Sequence, residues 1–133
     1  MNVQPYLFFD GHCEEALEFY KKAIGARVEA LMRWKENPEA CSPQNADKIM
    51  HASFKVGDVS VLASDGNCEG KLDFKGFALT ITTKTEADAD KVFGSLSDGG
   101  KVQMPLTKTF FSPKFGMLQD KFGVGWMVLV NAQ

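Results

Sequence analysis

The chain has 133 residues and a nearly even charge balance, with 17 acidic against 15 basic side chains and a formal net charge of −2. Its hydrophobic fraction of 44% and charged fraction of 24% are typical of a folded globular protein, and its length predicts a single domain. The absence of a basic excess argues against nucleic acid as the main partner, and no apolar run approaches the roughly 18 residues of a membrane-spanning helix.

The first half of the sequence predicts one helix and four strands. Runs at 3–9, 26–34, 49–56 and 59–64 have the composition and length of strands. After the first of them, apolar residues recur at helical spacing over 12–24, and Gly25 stands at the expected C-cap. A polar stretch with two prolines follows at 35–47, and Gly57-Asp58 indicates a tight turn between the last two strands.

The second half repeats this order of elements. Strands are predicted at 77–82, 101–110, 115–122 and 125–130, with an interruption of the second of these at Pro105. A helix is predicted at 85–96, because Thr85 and Asp88 have capping-box spacing and Gly99-Gly100 follows it. Strand, helix and three strands therefore occur twice, in modules at about 1–65 and 75–131.

Each predicted module leaves one face of its sheet without a covering helix. Two such modules can place their open faces together around a cavity, which is a suitable site for a small molecule. We therefore expect an α+β protein in which two βαβββ modules form a single domain over 1–133.

Four stretches of sequence carry a family resemblance. They are 4–9 (QPYLFF), 13–21 (CEEALEFYK), 47–52 (DKIMHA) and 115–127 (FGMLQDKFGVGWM). Together with the order of elements, they resemble the PhnB-like branch of the glyoxalase/bleomycin-resistance superfamily, also called the vicinal oxygen chelate superfamily. One departure is Gly125, where related sequences often carry proline. The resemblance implies the paired βαβββ fold and a homodimer.

The resemblance also implies four metal-ligand positions, one on the first and one on the last strand of each module. In this sequence these positions fall at Pro5, Val61, Phe77 and Met127. Three of these residues have no donor atom, and the methionine thioether suits Mg, Mn, Zn or Ni poorly. We expect no standard metal site and no cofactor, although a metal held by atypical ligands such as Gln4 and His51 stays open as an alternative.

His51 is the histidine placed for function, because it lies within a predicted strand. An imidazole facing a cavity can act as a general base or hydrogen-bond donor, whereas the alternative is a structural histidine bonded to a neighbouring strand. Large apolar side chains are predicted to line a pocket for a flat or greasy ligand, with a core role as the alternative for each. They are Trp34, Phe77, Phe110, Phe115, Met117, Trp126 and Met127.

Other polar residues have more ordinary interpretations. Asp10, Asp65 and Asp120 follow predicted strands and are expected to cap turns. Lys114 is interpreted as a solvated loop lysine, with a charge for an anionic ligand as the alternative. The turn glycines lack the strand, glycine-rich loop and helix that a dinucleotide or a methyl-donor nucleotide requires.

These observations predict a small-molecule binding protein with an apolar aromatic pocket. The alternatives are a lyase, isomerase or dioxygenase-like enzyme, metal-free or with atypical ligands including His51, and a structural or regulatory dimer with a vestigial cavity. The polar start of the sequence is not that of a signal peptide. The three cysteines are too few and too widely spaced for a disulfide framework, so a cytoplasmic location is expected.

Overall fold

The computed structural model describes residues 1–39, 41–66 and 72–131. The chain divides into two compact units, Met1–Leu72 (unit 1) and Asp73–Gln133 (unit 2). Unit 1 contains β1 (Tyr6–Phe8), α1 (Cys13–Ile24), β2 (Arg27–Arg33), a 3-10 turn (Trp34–Glu36), β3 (Ile49–Val56) and β4 (Val59–Ser64). Unit 2 contains β5 (Leu79–Thr83), α2 (Glu86–Ser97), β6 (Lys101–Thr107), β7 (Phe115–Gln119) and β8 (Gly125–Val130).

The two units have the same sheet topology. The strand order is β1-β4-β3-β2 in unit 1 and β5-β8-β7-β6 in unit 2. In each sheet the first strand is parallel to the last, and the other neighbours are antiparallel. The predicted α+β class and the repeated βαβββ order are confirmed.

Helix α1 forms because its apolar residues fall on one side. Cys13, Ala16, Leu17 and Tyr20 are all buried. The helix ends at Gly25, which adopts the left-handed conformation at φ 68° and donates its N–H to a carbonyl of the last turn. The predicted helix and its C-cap are confirmed.

Helix α2 begins at the predicted cap. The Thr85 hydroxyl accepts a hydrogen bond from the Asp88 backbone N–H at 3.1 Å. At Gly116, opposite this helix, an added Cβ would lie 2.7 Å from the Phe93 ring, so helix and sheet approach closely there. The buried side chains of the helix are Ala89, Phe93 and Leu96.

Several strand ends differ from the predicted ones. The strand predicted at 3–9 pairs with β4 only over Tyr6–Phe8, and the one predicted at 77–82 begins at Leu79. Pro105 does not break β6; instead the pairing with β7 shifts register on either side of Met104. The strand predicted at 115–122 ends at Gln119, because the following residues form a turn.

An ion pair joins α1 to β2 in unit 1. The Arg33 guanidinium donates to both carboxylate oxygens of Glu14, at 3.1 and 2.6 Å, and to the Asp47 carbonyl at 2.8 Å. The hydrogen bond from Arg33 holds the pKa of Glu14 below its usual value. A lowered carboxyl pKa contributes stability above the unfolded-state value, and this contribution is lost as the pH falls through the folded-state value.

Replacement of Glu14 by glutamine is expected to lower the free energy of unfolding by at most about 1 kcal/mol near pH 7, because the carboxylate is more than half exposed. Since the stabilisation depends on the ionised carboxylate, the difference from the wild type should shrink at about pH 3. Urea midpoints of the wild type and the variant, at pH 7 and at about pH 3, measure this difference in stability. A difference of equal size at both would contradict this assignment.

Among the residues that the structure describes, no helix is both long and apolar enough to cross a membrane.

Candidate functional site

The sheet of unit 1 has one face covered by α1 and one face that the helix does not cover. The Tyr20 ring of α1 stacks on Phe54 of β3 with centroids 5.7 Å apart, and Phe54 pairs across the strands with buried Val61. Side chains alternate along a strand, so the residues on either side of Phe54 in β3 and of Val61 in β4 point to the other face. We call that uncovered side the open face of unit 1.

A hydrogen-bonded pair of side chains lies on the open face of unit 1. Tyr6 Oη and His51 Nδ1 are 3.1 Å apart, and the tautomer of the imidazole decides which of them donates. The two rings have centroids 5.7 Å apart at an interplanar angle of 39°. Because β4 lies between β1 and β3, the pair spans three strands and depends on the register of all of them.

Large apolar side chains surround this pair. The Phe8 ring lies 4.7 Å from the Tyr6 ring, centroid to centroid, and Met32 pairs with His51 across β2 and β3. Tyr6, Phe8 and Met32 have exposed fractions of 36%, 56% and 39%. An imidazole and a phenol therefore lie within an accessible and largely apolar surface.

The sheet of unit 2 is arranged in the same way. Trp126, Val128 and Val130 of β8 are buried, and α2 contacts this strand. The alternate residue Met127 lies on the other face, where its sulfur accepts a hydrogen bond from the Thr80 hydroxyl at 3.9 Å. Met117 pairs with Met127, so this face carries a hydroxyl and two thioethers.

A family model described as 3-demethylubiquinone-9 3-methyltransferase matches residues 1–129. The chain belongs to this family. It is PhnB-like, as the resemblance predicted, since the relatives of 30% or more identity over nearly the whole chain include a PhnB protein.

Three relatives align over nearly their full length. Protein PA1353 from Pseudomonas aeruginosa is 37% identical with a TM-score of 0.86, covering 100% of this chain and 99% of that one. A putative 3-demethylubiquinone-9 3-methyltransferase, PhnB protein, from Bacillus cereus is 30% identical with a TM-score of 0.83, covering 98% and 99%. Protein YjdN of Escherichia coli is 30% identical, covering 100% of this chain and 97% of its own.

A more distant structure shows the fold alone. The glyoxylase/bleomycin resistance protein/dioxygenase domain from Frankia sp. EAN1pec has a TM-score of 0.65 at 15% identity, covering 98% of this chain and 95% of that one. It matches the expected βαβββ architecture.

The four predicted metal-ligand positions lie in different environments in the structure. Val61 is buried on the face covered by α1, and Phe77 precedes β5 and is 46% exposed. Pro5 precedes β1, although its carbonyl accepts a hydrogen bond from the Leu62 N–H. Only Met127 lies on the uncovered face of its sheet, as predicted.

The uncovered faces instead carry the register pairs Tyr6–Leu62 in unit 1 and Thr80–Met127 in unit 2. Neither the phenol and alkyl group of unit 1 nor the hydroxyl and thioether of unit 2 are good ligands for a divalent metal. Within the described ranges, no group of three or more His, Cys, Asp and Glu side chains is arranged to hold a metal ion. The residues present do not fit the metal of the superfamily, and the expectation of no cofactor stays a prediction.

Trp126, predicted to line a pocket, is a buried residue of this PhnB-like chain. It is only 3% exposed, and its indole N–H donates to Asp120 Oδ2 at 2.8 Å. The other oxygen of Asp120 accepts the N–H groups of Phe122 and Val124, which confirms the predicted turn-capping role of Asp120. Trp126 thus holds the β7–β8 turn in place.

The remaining predicted pocket residues differ in their burial and surroundings within each unit. Trp34 lies in the 3-10 turn of unit 1, where its indole nitrogen is buried without a partner among the described residues. Phe115 of unit 2 is buried, with its ring edge-to-face against Phe111 at 5.1 Å. Phe110 is fully exposed. Lys114 pairs with Asp90 of α2 at 2.5 Å, in agreement with a surface role.

Asp65 joins three segments of unit 1. Its Oδ1 accepts the N–H groups of Gly11 and Cys13, and its Oδ2 accepts that of Ile49, each at 2.8 Å. The N-cap residue of α1, His12, makes no side-chain cap, so Asp65 caps the helix from 52 positions away. Burial, followed by the nearby charge of Asp65, raises the pKa of the Cys13 thiol, which is therefore a core group without thiolate chemistry.

Proposed function

We propose that this protein binds a small organic molecule on the open face of unit 1, without a divalent metal. The observation that carries this proposal is the Tyr6–His51 hydrogen bond, which lies within an exposed aromatic surface. The proposed ligand has a flat apolar body and at least one polar group.

The shape and chemistry of the face support such a ligand. Exposed aromatic rings stack well on planar molecules, and Phe8 and Tyr6 offer two neighbouring rings. The hydrogen bond between Tyr6 and His51 engages Nδ1 of the imidazole, so the second nitrogen, Nε2, is the one proposed to meet a polar group of the ligand. A polar contact within an apolar surface fixes orientation and gives specificity.

An enzyme that uses His51 for acid–base chemistry is a second candidate. The observation that favours it is again the Tyr6 hydrogen bond, because a partner on one imidazole nitrogen orients the ring and sets the tautomer that the other nitrogen presents. In this case Nδ1–H would donate to the Tyr6 oxygen, and Nε2, the unprotonated nitrogen, would accept a proton from the bound molecule. Tyr6 would act as a positioning residue.

Methyl transfer, which the family description names, is not proposed for this chain. The segment between β1 and α1 reads Phe-Asp-Gly-His, and that between β5 and α2 reads Lys-Thr. Neither is the glycine-rich loop after a parallel strand that holds a nucleotide. The homodimer and the cytoplasmic location implied above stay predictions.

A thermal-shift screen of aromatic compounds tests the binding proposal, because a ligand raises stability in proportion to the logarithm of its saturation. For the compounds that stabilise the wild type, His51→Gln should weaken binding about tenfold and Tyr6→Phe about threefold to tenfold, as expected for loss of one hydrogen bond. If the compound is also converted, His51→Gln should reduce turnover far more than it reduces affinity.

His12→Gln is the matched control, since His12 lies on the surface beside Glu15 and away from the open face. It should bind every compound like the wild type. Compounds that bind all three variants with unchanged affinity would contradict the proposed site.

A further inference from the structure

A cleft of about 550 Å³ is lined entirely by residues of unit 2, whereas the Tyr6–His51 pair belongs to unit 1. It is formed between the start of α2 and the loop that joins β6 to β7, next to the end of β8. Its volume is within the range of small-molecule sites. None of the four predicted metal-ligand positions lines the cleft.

The cleft carries a net positive charge. Its charged lining residues are Lys84, Lys108 and Glu86. In the described part of the chain, no carboxylate lies within ion-pair distance of either lysine, whereas Lys114 nearby is neutralised by Asp90. Two positive charges and one negative charge match a ligand with a single negative charge.

The same cleft presents two exposed aromatic rings. Phe110 is fully exposed and Phe111 is 43% exposed, and their rings meet edge-to-face with centroids 5.2 Å apart. Exposure of two adjacent phenylalanines is unfavourable in water, and it is relieved when an apolar partner covers them.

The loop that carries these rings is held in a fixed conformation. The buried Ser112 hydroxyl lies 2.7 Å from the Lys114 carbonyl and 2.6 Å from the Val130 carbonyl. The Ser112 N–H donates to the Thr109 hydroxyl at 3.1 Å. Since Ser112 ties the loop to the end of β8, the loop backbone that carries the rings is held before any ligand arrives, which lowers the entropy cost of binding.

We propose that this cleft binds an aromatic monocarboxylate. Its ring packs against Phe110 and Phe111, and its carboxylate lies near Lys84 and Lys108. Glu86 disfavours ligands with several negative charges, and a neutral aromatic compound leaves the two ammonium groups unmatched. This site is independent of the open face of unit 1.

Amide NMR spectra of the full chain titrated with naphthoate test this proposal. We expect shifts confined to the amides of 84–86 and 108–112, and weakening of affinity at higher salt. Lys84→Gln and Lys108→Gln should each reduce affinity about fivefold, and Phe110→Ala should reduce it by a similar factor. Lys101→Gln is the matched control, since Lys101 is an exposed lysine of β6 outside the cleft, and should have no effect.

Four results would overturn the proposal. One is the absence of naphthoate binding at millimolar concentration. The second is equal affinity of the wild type for naphthoate and for the neutral naphthalenemethanol. The third is equal affinity of the wild type and both lysine variants for naphthoate. The fourth is a loss of naphthoate binding in His51→Gln, which would assign the ligand to unit 1 instead.

Discussion

Replacement of Asp65 by alanine is expected to lower the free energy of unfolding by about 3 kcal/mol. The buried carboxylate accepts three backbone N–H groups, from Gly11, Cys13 and Ile49. Alanine would leave these donors unpaired, and an unsatisfied buried group costs about 1–3 kcal/mol. The start of α1 would also lose the negative charge that favours a helix N-terminus.

Chemical denaturation of the variant and of two comparison variants measures this effect. Asp65→Asn should be intermediate, because an amide NH₂ group must face one of the N–H donors. Asp73→Ala should lose no more than about 1 kcal/mol, since Asp73 is exposed and accepts a single N–H from Lys75. An Asp65→Ala variant as stable as Asp73→Ala would show that Asp65 does not hold unit 1 together.

Replacement of Gly100 by alanine is expected to destabilise unit 2 by about 3 kcal/mol or more. A Cβ at this position would lie 2.1 Å from the Gln119 carbonyl oxygen and 2.9 Å from the backbone of Asp120. Since these contacts are with backbone atoms, β6 and β7 would have to separate locally, and the overpacking penalty is at least 1–3 kcal/mol.

Gly94→Ala is also a glycine-to-alanine substitution, but it is expected to raise the stability of the protein. Gly94 lies within α2, and nothing is within 4 Å of an added Cβ. Alanine in a helix interior is more stable than glycine by about 0.8–1.0 kcal/mol. Denaturant midpoints should therefore rise for Gly94→Ala and fall for Gly100→Ala. A Gly100→Ala variant with an unchanged midpoint would contradict the close strand approach.

Much of the fold was predictable because the decisive signals are local. The β3–β4 hairpin was predicted with its observed bounds, since the strands are apolar and Gly57 marks the turn. The spacing of apolar and capping residues within about a dozen positions predicts helix α1 with its Gly25 cap and helix α2 with its Thr85 cap. The strand ends were less predictable because they depend on pairing with distant partners.

The candidate site was predictable only in part. His51 was selected as a strand histidine, but its partner Tyr6 is 45 positions away and belongs to a strand of only three residues. The predicted ligand positions Pro5 and Val61 do not lie on the open face, since Pro5 precedes β1 and Val61 is buried under α1; a shift of one residue along a strand moves a side chain to the opposite face. Trp126 was predicted to line a pocket. Its hydrogen bond to Asp120 forms only when the turn between β7 and β8 brings the two side chains together, so this contact could not be inferred from local spacing.

The most direct test of the proposed open-face site uses the two histidines of the chain, His12 and His51. With ¹⁵N-labelled histidine, the imidazole signals can be assigned through His12→Gln and followed during titration with an aromatic compound that stabilises the protein. We expect the His51 ring signals to move with saturation while those of His12 stay fixed. A compound that binds and stabilises the protein without moving the His51 signals would contradict it.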